Sequence, residues 1–183
     1  MLDKGPFCSY NVTVDTMIKI NVAEIKKSLV GSESFQYTLS GKDLDITLED
    51  ADLSGPIQVE GSIANGGDVL LLTATEQFTY HGTCARCLKP VQLELTAQVD
   101  ERYYPEGTEG LEEDDFTYKF DVVDVTDALR ESLLLAIPAR VLCKPDCKGI
   151  CPVCGVDRNV TECHCNDHVI DPRWQKLEAL LKK

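Results

Sequence analysis

The 183-residue sequence lacks any run of about 18 apolar residues, the length that a helix needs to cross a bilayer. Its first residues, MLDKGPFCSYNVTVD, contain no apolar core of the kind found in secretory signals. We therefore expect a cytoplasmic protein. Because thiols stay reduced in that compartment, clustered cysteines indicate metal binding rather than disulfides.

Groups that commonly carry catalysis are also scarce. The chain has three histidines, and it shows neither a glycine-rich phosphate loop nor a convincing Ser-His-Asp order. The motif CARC at 84–87 is followed by Leu88, Lys89, Pro90 and a strand pattern, whereas a thioredoxin-like motif begins a helix. We expect no enzyme activity, and a thiol-redox or metal-dependent enzyme is kept as a third alternative.

Basic residues are scarce in most of the chain. Residues 1–131 carry 25 acidic and 10 basic side chains, while residues 132–183 carry 6 and 8, within a net charge of −13. An acidic body disfavours broad, non-specific binding of nucleic acid, which needs many cations facing phosphates. Any phosphate contacts would have to concentrate in the C-terminal third.

The hydrophobic pattern predicts an α+β fold. Apolar residues make up 43% and charged residues 27% of the chain, which is ordinary globular composition. Alternating apolar positions predict strands within 17–22, 34–41, 55–67, 68–84, 90–104 and 116–122. A short helical stretch fits 22–29, and Asn65-Gly66-Gly67 predicts a hairpin turn. We expect an antiparallel sheet, with a barrel-like closure as one option.

One amphipathic helix is predicted over 124–138. Asp124 or Thr126 can cap its start, and Pro138 ends it. Its apolar face, which we expect to pack on the sheet, consists of Val125, Leu129, Leu133 and Ala136. A second helix is predicted over 171–183. We expect a single domain over 1–183, within which 143–171 is a cysteine-rich, zinc-stapled C-terminal segment.

Six of the nine cysteines fall between positions 143 and 165. Two pairs have the Cys-x-x-Cys spacing, which lets two thiolates face one ion while N–H groups of the turn donate to sulfur. Eight cysteines form four pairs, enough for two zinc sites of four sulfurs each. The predicted ligands are Cys84, Cys87, Cys143, Cys147, Cys151, Cys154, Cys163 and Cys165. An iron–sulfur cluster, metal-free thiols and disulfides are the alternatives to one or two zinc ions, and His164 can replace one cysteine.

Counting does not decide which pairs share an ion. In one arrangement the pair at 84 and 87 joins the pair at 143 and 147, and residues 151–165 close a small site of their own. In the other, the two Cys-x-x-Cys turns share an ion, as in a zinc ribbon. We favour the first because short loops cost less entropy to close.

Cations flank these cysteines. They can offset the charge of about −2 that four thiolates leave around zinc, or they can face RNA phosphate. The candidates for contact with RNA or a partner are Arg86, Lys89, Lys144, Lys148 and Arg158.

Several segments together resemble a bacterial family, the YceD or large ribosomal RNA subunit accumulation proteins. They are CARCLKPV (84–91), the helix end LLLAIP (133–138), CKPDCKGICPVCGVDRN (143–159), CHC (163–165) and DPRWQKLEAL (171–180). The resemblance implies a role in synthesis, processing or stability of 23S ribosomal RNA, and no known catalytic activity. Members of the family vary in the cysteine-rich segment, which implies that 151–165 is an optional second site.

The functional hypothesis is a non-enzymatic zinc-binding protein that supports ribosome biogenesis. The resemblance implies contact with ribosomal RNA, with a large-subunit ribosomal protein or with an assembly factor. The alternative is a zinc-stabilised adaptor between proteins that is unrelated to the ribosome. We expect no membrane partner and no small-molecule substrate.

Overall fold

The computed structural model describes residues 17–165 apart from 29, 49, 50 and 54. These residues divide into two compact units. The sheet unit comprises 17–82 and 92–139, and the cysteine unit comprises 83–91 and 140–165. The second unit therefore includes more than the predicted segment, because 83–91 join it. That 1–183 folds as one domain stays a prediction, and the predicted helix over 171–183 lies outside the described residues.

Within the described residues, seven strands form two sheets. In the two-stranded sheet, β1 (Lys19–Asn21) pairs antiparallel with β7 (Val122–Asp124). The other sheet has the order β2-β3-β4-β5-β6. Its strands are β2 (Ser32–Leu39), β3 (Ile57–Asn65), β4 (Leu70–Thr83), β5 (Pro90–Pro105) and β6 (Phe116–Tyr118). A single 3₁₀ turn, Ile25–Lys27, forms within the predicted helical stretch.

The apolar residues that alternate along the strands lie together on one buried face of the sheet. In β4, Leu70, Leu72 and Ala74 are buried while the residues between them are more exposed. Gly61 of β3 faces Ala74, and a Cβ at Gly61 would lie 2.6 Å from the Cβ of Ala74. A side chain at this glycine would therefore push the two strands apart.

The predicted hairpin turn is confirmed. Asn65 pairs with Leu70 at the ends of β3 and β4, and Gly66 N–H donates to the carbonyl of Val69 at 2.9 Å. Gly67 has a φ of +95°, a backbone conformation that glycine adopts at no steric cost. Its N–H donates to Asn65 Oδ1 at 2.9 Å, which closes the turn.

The α+β class is confirmed, but the barrel-like closure is wrong. Closure would need hydrogen bonds between the first and last strands, whereas in the described chain β2 pairs with β3 and β6 pairs with β5. The sheet is also mixed rather than wholly antiparallel, because β6 runs parallel to β5. The strand predicted over 116–122 is broken at Phe120, whose φ of 58° interrupts the extended backbone.

The predicted helix is present as α1, Thr126–Ala136. Asp124 Oδ1 accepts a hydrogen bond from the N–H of Thr126 at 3.0 Å. The N-cap residue is nevertheless Val125 and no side chain caps the helix start, so the predicted cap at Asp124 or Thr126 is wrong. The Thr126 hydroxyl instead accepts from the N–H of Ile18 at 2.7 Å, within the sheet unit. Three residues of the predicted apolar face, Val125, Leu129 and Leu133, have no exposed surface.

Candidate metal centres

Four cysteines of the cysteine unit form the first tetrad. The sulfurs of Cys84, Cys87, Cys143 and Cys147 all lie within 4.8 Å of one another. Sγ of Cys84 is 3.8 Å from Sγ of Cys147, and Sγ of Cys87 is 3.6 Å from Sγ of Cys143. Cys143 is exposed and the other three are buried.

The remaining four cysteines of the described chain form the second tetrad. The sulfurs of Cys151, Cys154, Cys163 and Cys165 also lie within 4.8 Å of one another. Cys151 is buried, Cys154 is exposed, and the other two are half-buried. His164 is exposed and is not part of this group. The two Cys-x-x-Cys pairs thus lie in different tetrads, which is the favoured arrangement and not the zinc-ribbon one.

A hydrogen-bonded turn holds the first Cys-x-x-Cys pair. The N–H of Leu88 donates to the carbonyl of Cys84 at 2.9 Å, and the N–H of Cys84 donates to the carbonyl of Lys89 at 2.8 Å. The turn requires a left-handed residue at Leu88, whose φ is 58°. A leucine in this conformation is strained, because its Cβ approaches the neighbouring carbonyl.

The second pair lies in a turn with the same hydrogen bonds. Gly155 N–H donates to the carbonyl of Cys151 at 2.8 Å, and Cys151 N–H donates to the carbonyl of Val156 at 2.8 Å. Here the left-handed position is a glycine, with a φ of +73°. Each turn brings the two sulfurs of its Cys-x-x-Cys pair into one tetrad.

The sulfur geometry fits a tetrahedral metal ion. A zinc ion with Zn–S bonds of about 2.3 Å places its sulfurs about 3.8 Å apart. The closest pairs, at 3.6 and 3.8 Å, are near that value. They are far from the roughly 2.05 Å of a disulfide bond. Soft thiolates select zinc or an iron–sulfur cluster over magnesium or calcium.

The thiols of each tetrad differ in acidity. Burial raises the pKa of Cys84, but N–H donors from Cys143, Arg86 and Cys87 outweigh it and lower that pKa to about 6. Burial and the neighbouring sulfurs raise the pKa of Cys143 to about 12.

The second tetrad repeats this contrast. N–H donors of Cys154 and Val153 lower the pKa of Cys151 to about 6, whereas the neighbouring Cys154 raises the pKa of Cys165 to about 12. Four clustered thiols resist full ionisation unless a cation compensates their charge, and a metal ion provides that compensation.

The predicted RNA-facing cations have partners inside the cysteine unit. Arg86 donates to the carbonyl of Cys147 at 2.7 Å, and Lys89 Nζ lies 2.6 Å from Asp157 Oδ2. The hydrogen bond from Lys89 lowers the pKa of Asp157 to about 2. Arg158 donates to Sγ of Cys151 at 3.5 Å. Arg158 therefore compensates charge at a sulfur, whereas Arg86 and Lys89 bond a carbonyl and a carboxylate.

The two other candidates, Lys144 and Lys148, are exposed. Lys144 Nζ is 3.8 Å from Asp146 Oδ2, and both side chains are substantially exposed. Lys148 is exposed. Contact of any of these residues with RNA or a partner stays a prediction.

Sequence reasoning missed Asn159. Its Nδ2 donates to Sγ of Cys147 at 3.4 Å, and its Oδ1 accepts from the N–H of Lys148 at 2.9 Å. Asp157 Oδ1 accepts from the N–H of Asn159 at 2.8 Å, an Asx turn. The Asp-x-Asn pattern after a cysteine turn signals such a turn, but nothing in the sequence shows that the amide reaches a sulfur 12 residues back.

In the part of the chain that the structure describes, no helix is long and apolar enough to cross a lipid bilayer.

Comparison with known proteins identifies the family. The family described as "Large ribosomal RNA subunit accumulation protein YceD" matches residues 72–181, more than half of the sequence. The chain belongs to the YceD family. The sequence resemblance is thereby confirmed, and it includes all eight cysteines of the two tetrads.

Two uncharacterised bacterial proteins illustrate what the chain is similar to in sequence. An uncharacterised Mycobacterium tuberculosis protein, Rv2926c, is 35% identical over 116 residues, 61% of this chain and 56% of that protein. The chain thus spans little more than half the length of this mycobacterial relative. The uncharacterised protein YlbN of Bacillus subtilis is 27% identical over 159 residues, 82% of this chain and 90% of that protein. No solved structure matches.

Proposed function

We propose that this protein binds a zinc ion in each cysteine tetrad and supports accumulation of large-subunit ribosomal RNA in the cytoplasm by binding, without catalysis. The observation that carries the zinc assignment is the grouping of eight sulfurs into two sets of four, each within 4.8 Å. The family description supports the role in ribosomal RNA. Zinc would supply a fixed, redox-inert crosslink between chain segments.

The donor set favours a structural ion over a catalytic one. A catalytic zinc keeps one position open for water and has three protein ligands. Four sulfurs per tetrad complete a tetrahedral shell without water. We therefore propose a binding role for the cysteine unit.

The charge of the cysteine unit bears on its partner. Its described residues include six Lys or Arg side chains and three Asp or Glu side chains. Two four-sulfur zinc sites would add about −4, which makes the loaded unit close to neutral. A near-neutral surface binds RNA through a few placed contacts rather than through a broad field. The proposed partners are 23S ribosomal RNA, a large-subunit ribosomal protein or an assembly factor.

Metal content tests the first half of the proposal. Native mass spectrometry of the purified, reduced protein should show two zinc ions. Cys84→Ser should lose one ion, Cys154→Ser should lose the other, and the double variant should lose both. A protein purified in zinc-containing medium that carries no zinc, or carries iron with sulfide, contradicts the assignment.

Ribosomal RNA tests the second half. In a strain that lacks the gene, the ratio of 23S to 16S RNA should fall, and the unmodified gene should restore it. The double variant Cys84→Ser with Cys154→Ser should fail to restore the ratio although the protein is present. A normal ratio in the strain without the gene would contradict the role in RNA accumulation.

One observation favours the adaptor as a second candidate. Leu88 combines a left-handed backbone with a side chain that is 64% exposed. A left-handed backbone costs a leucine stability, and a partner that binds its exposed side chain would compensate that cost. Capture of the protein from cells with bound RNA digested separates the two. Ribosomal proteins or assembly factors should remain bound under the first proposal, and only non-ribosomal proteins under the second.

A further inference from the structure

Three consecutive residues, 157–159, contact both halves of the cysteine unit. Asp157 pairs with Lys89, which follows the first Cys-x-x-Cys turn. Arg158 donates to a sulfur of the second tetrad, Cys151, and Asn159 donates to a sulfur of the first, Cys147. We call residues 157–159 the linking turn.

The linking turn is itself held in place by backbone contacts. Ile150 forms an isolated antiparallel bridge with Asp157, and Arg158 N–H donates to the carbonyl of Gly149 at 2.9 Å. Residues 148–150 connect one cysteine of each tetrad. The N–H of Ile150 also donates to the carbonyl of Arg86 at 3.0 Å, inside the first Cys-x-x-Cys turn.

We propose, on the basis of the zinc-binding function above, that the linking turn couples the two tetrads so that metal in one raises the affinity of the other. Asn159 is the positioning residue for the first tetrad and Arg158 for the second. Ordering this turn costs conformational entropy, and both sites need it ordered. The first ion to bind meets that cost, so the second binds to a turn that is already fixed.

The donated hydrogen bonds add an electrostatic part to this coupling. A thiolate bound to metal keeps negative charge, and N–H donors beside it stabilise that charge. Two further hydrogen bonds hold Asn159 beside Cys147, because its Oδ1 accepts from the N–H of Lys148 and its own N–H donates to Asp157 Oδ1. If the chain around Cys151 loses its order, the linking turn loses its position and Asn159 no longer donates to Cys147.

The test measures zinc affinity of the first tetrad with the second disabled. The variant Cys163→Ser with Cys165→Ser removes two sulfurs of the second tetrad and leaves Cys151 and the linking turn intact. Competition with a chromophoric zinc chelator should show that affinity at the first tetrad falls by roughly 5- to 150-fold, the usual range of coupling between sites. Unchanged affinity would overturn the coupling.

Variants of Asn159 show whether the turn carries the effect. In an Asn159→Ala background, disabling the second tetrad should weaken the first tetrad much less than it does in the unmodified chain. The full fold-change in that background would overturn the role of Asn159. Val160→Ala is the matched control, since Val160 is the next residue, is 76% exposed and should leave the coupling unchanged.

A conservative variant separates electrostatics from shape. Asn159→Asp keeps the size of the side chain but replaces the N–H donor beside Cys147 with a carboxylate oxygen. It should weaken zinc at the first tetrad more than Asn159→Ala does, and shift the absorption bands of the cobalt(II)-loaded site. Milder loss than in Asn159→Ala would contradict donation to sulfur. Absence of zinc from the unmodified protein would instead defeat the proposed function itself.

Discussion

The two units of this chain have different interiors. The sheet unit is filled by apolar side chains of which 1% or less is exposed, including Ile57, Ile63, Leu72, Leu129 and Leu133. The buried cluster of the cysteine unit consists of Cys84, Cys87 and Cys147, with the partly buried Val91 and Leu142 against it. Burial of hydrocarbon stabilises the first, whereas the second has little hydrocarbon to bury and depends on what its sulfurs bind.

This comparison predicts its largest effect on metal removal. Structural zinc in small sites contributes about 10–16 kcal/mol to folding at neutral pH. A strong chelator under reducing conditions should therefore unfold the cysteine unit and leave the sheet unit folded. Hydrogen exchange followed by mass spectrometry should show loss of protection in 83–91 and 140–165 only. The zinc-saturated chelator is the control, and equal loss of protection in β3 and β4 would contradict two independent interiors.

A cavity in the sheet unit should have the opposite effect, destabilising the sheet unit while the cysteine unit keeps its zinc. Leu129→Ala removes a fully buried side chain from α1 and should lower the free energy of unfolding of the sheet unit by about 2–5 kcal/mol. Urea denaturation followed by circular dichroism measures this, and the zinc content should stay at its unmodified value. Leu135→Ala is the control on the same helix, because Leu135 is 86% exposed. Loss of zinc in Leu129→Ala would show that the two units do not fold separately.

Among the residues that the structure describes, the apolar interior of the sheet unit contains one carboxyl group. Glu76 of β4 is fully buried, and burial raises its pKa to about 7. Ser132 Oγ lies 2.6 Å from Glu76 Oε2 and 3.0 Å from the carbonyl of Leu129. The Ser132 hydroxyl donates toward both oxygens, and its hydrogen bond to the carboxylate offsets part of the rise in the Glu76 pKa that burial causes.

The sign of the pH dependence follows from the raised pKa of Glu76. The folded pKa of Glu76 is above the unfolded value of 4.5, so the folded state holds the proton more tightly. Its contribution to stability is complete below pH 4.5 and is lost as pH rises through about 7. The total is on the order of 3 kcal/mol, since one pKa unit corresponds to about 1.4 kcal/mol.

Glu76→Gln should remove this pH dependence. Glutamine keeps the shape without ionising, so stability of the sheet unit at pH 8 should rise by about 1–3 kcal/mol relative to the unmodified protein. Urea denaturation at pH 5 and pH 8 measures both effects. Glu94→Gln, at an exposed position that bonds Thr79, is the matched control. A slope with pH that survives in Glu76→Gln would assign the dependence to other groups.

Repetition along the chain made some of these features predictable from sequence. Alternating apolar residues indicated β3 and β4, and 3.6-residue periodicity indicated α1. Cysteine spacing indicated the two tetrads, and loop length favoured their composition. Contacts between distant residues were not predictable, because no local pattern encodes them. Alternation places position 76 on the buried face, for example, but nothing local shows that Ser132 meets it.

The open sheet and the linking turn illustrate the same limit. Alternation indicates which face of a strand is buried but not which strand lies beside it, so it could not exclude a barrel. The break at Phe120 needed a left-handed residue that sequence reasoning expects at glycine or asparagine. Asn159 donates a hydrogen bond to a sulfur 12 residues away. The sequence showed only that it follows an aspartate in a turn.

The smallest predicted effect compares the two Cys-x-x-Cys turns directly. They share their hydrogen bonds, but the left-handed residue is Leu88 in one and Gly155 in the other. Leu88→Gly should stabilise the cysteine unit by about 1 kcal/mol, because a left-handed conformation costs a non-glycine residue that much or more. The stability of the zinc-loaded unit against urea measures it, and Gly155→Ala should give a loss of similar size.

Binding experiments test whether Leu88 serves as a contact for a partner. If the exposed side chain of Leu88 contacts a partner, Leu88→Gly should gain stability and lose co-purifying proteins or RNA at once. Leu88→Ala is the control, because it keeps the strain but shortens the side chain, so it should lose binding without gaining stability. Retained binding in both variants would mean that the strain of the first turn has no compensating contact. The two turns would then differ in stability alone.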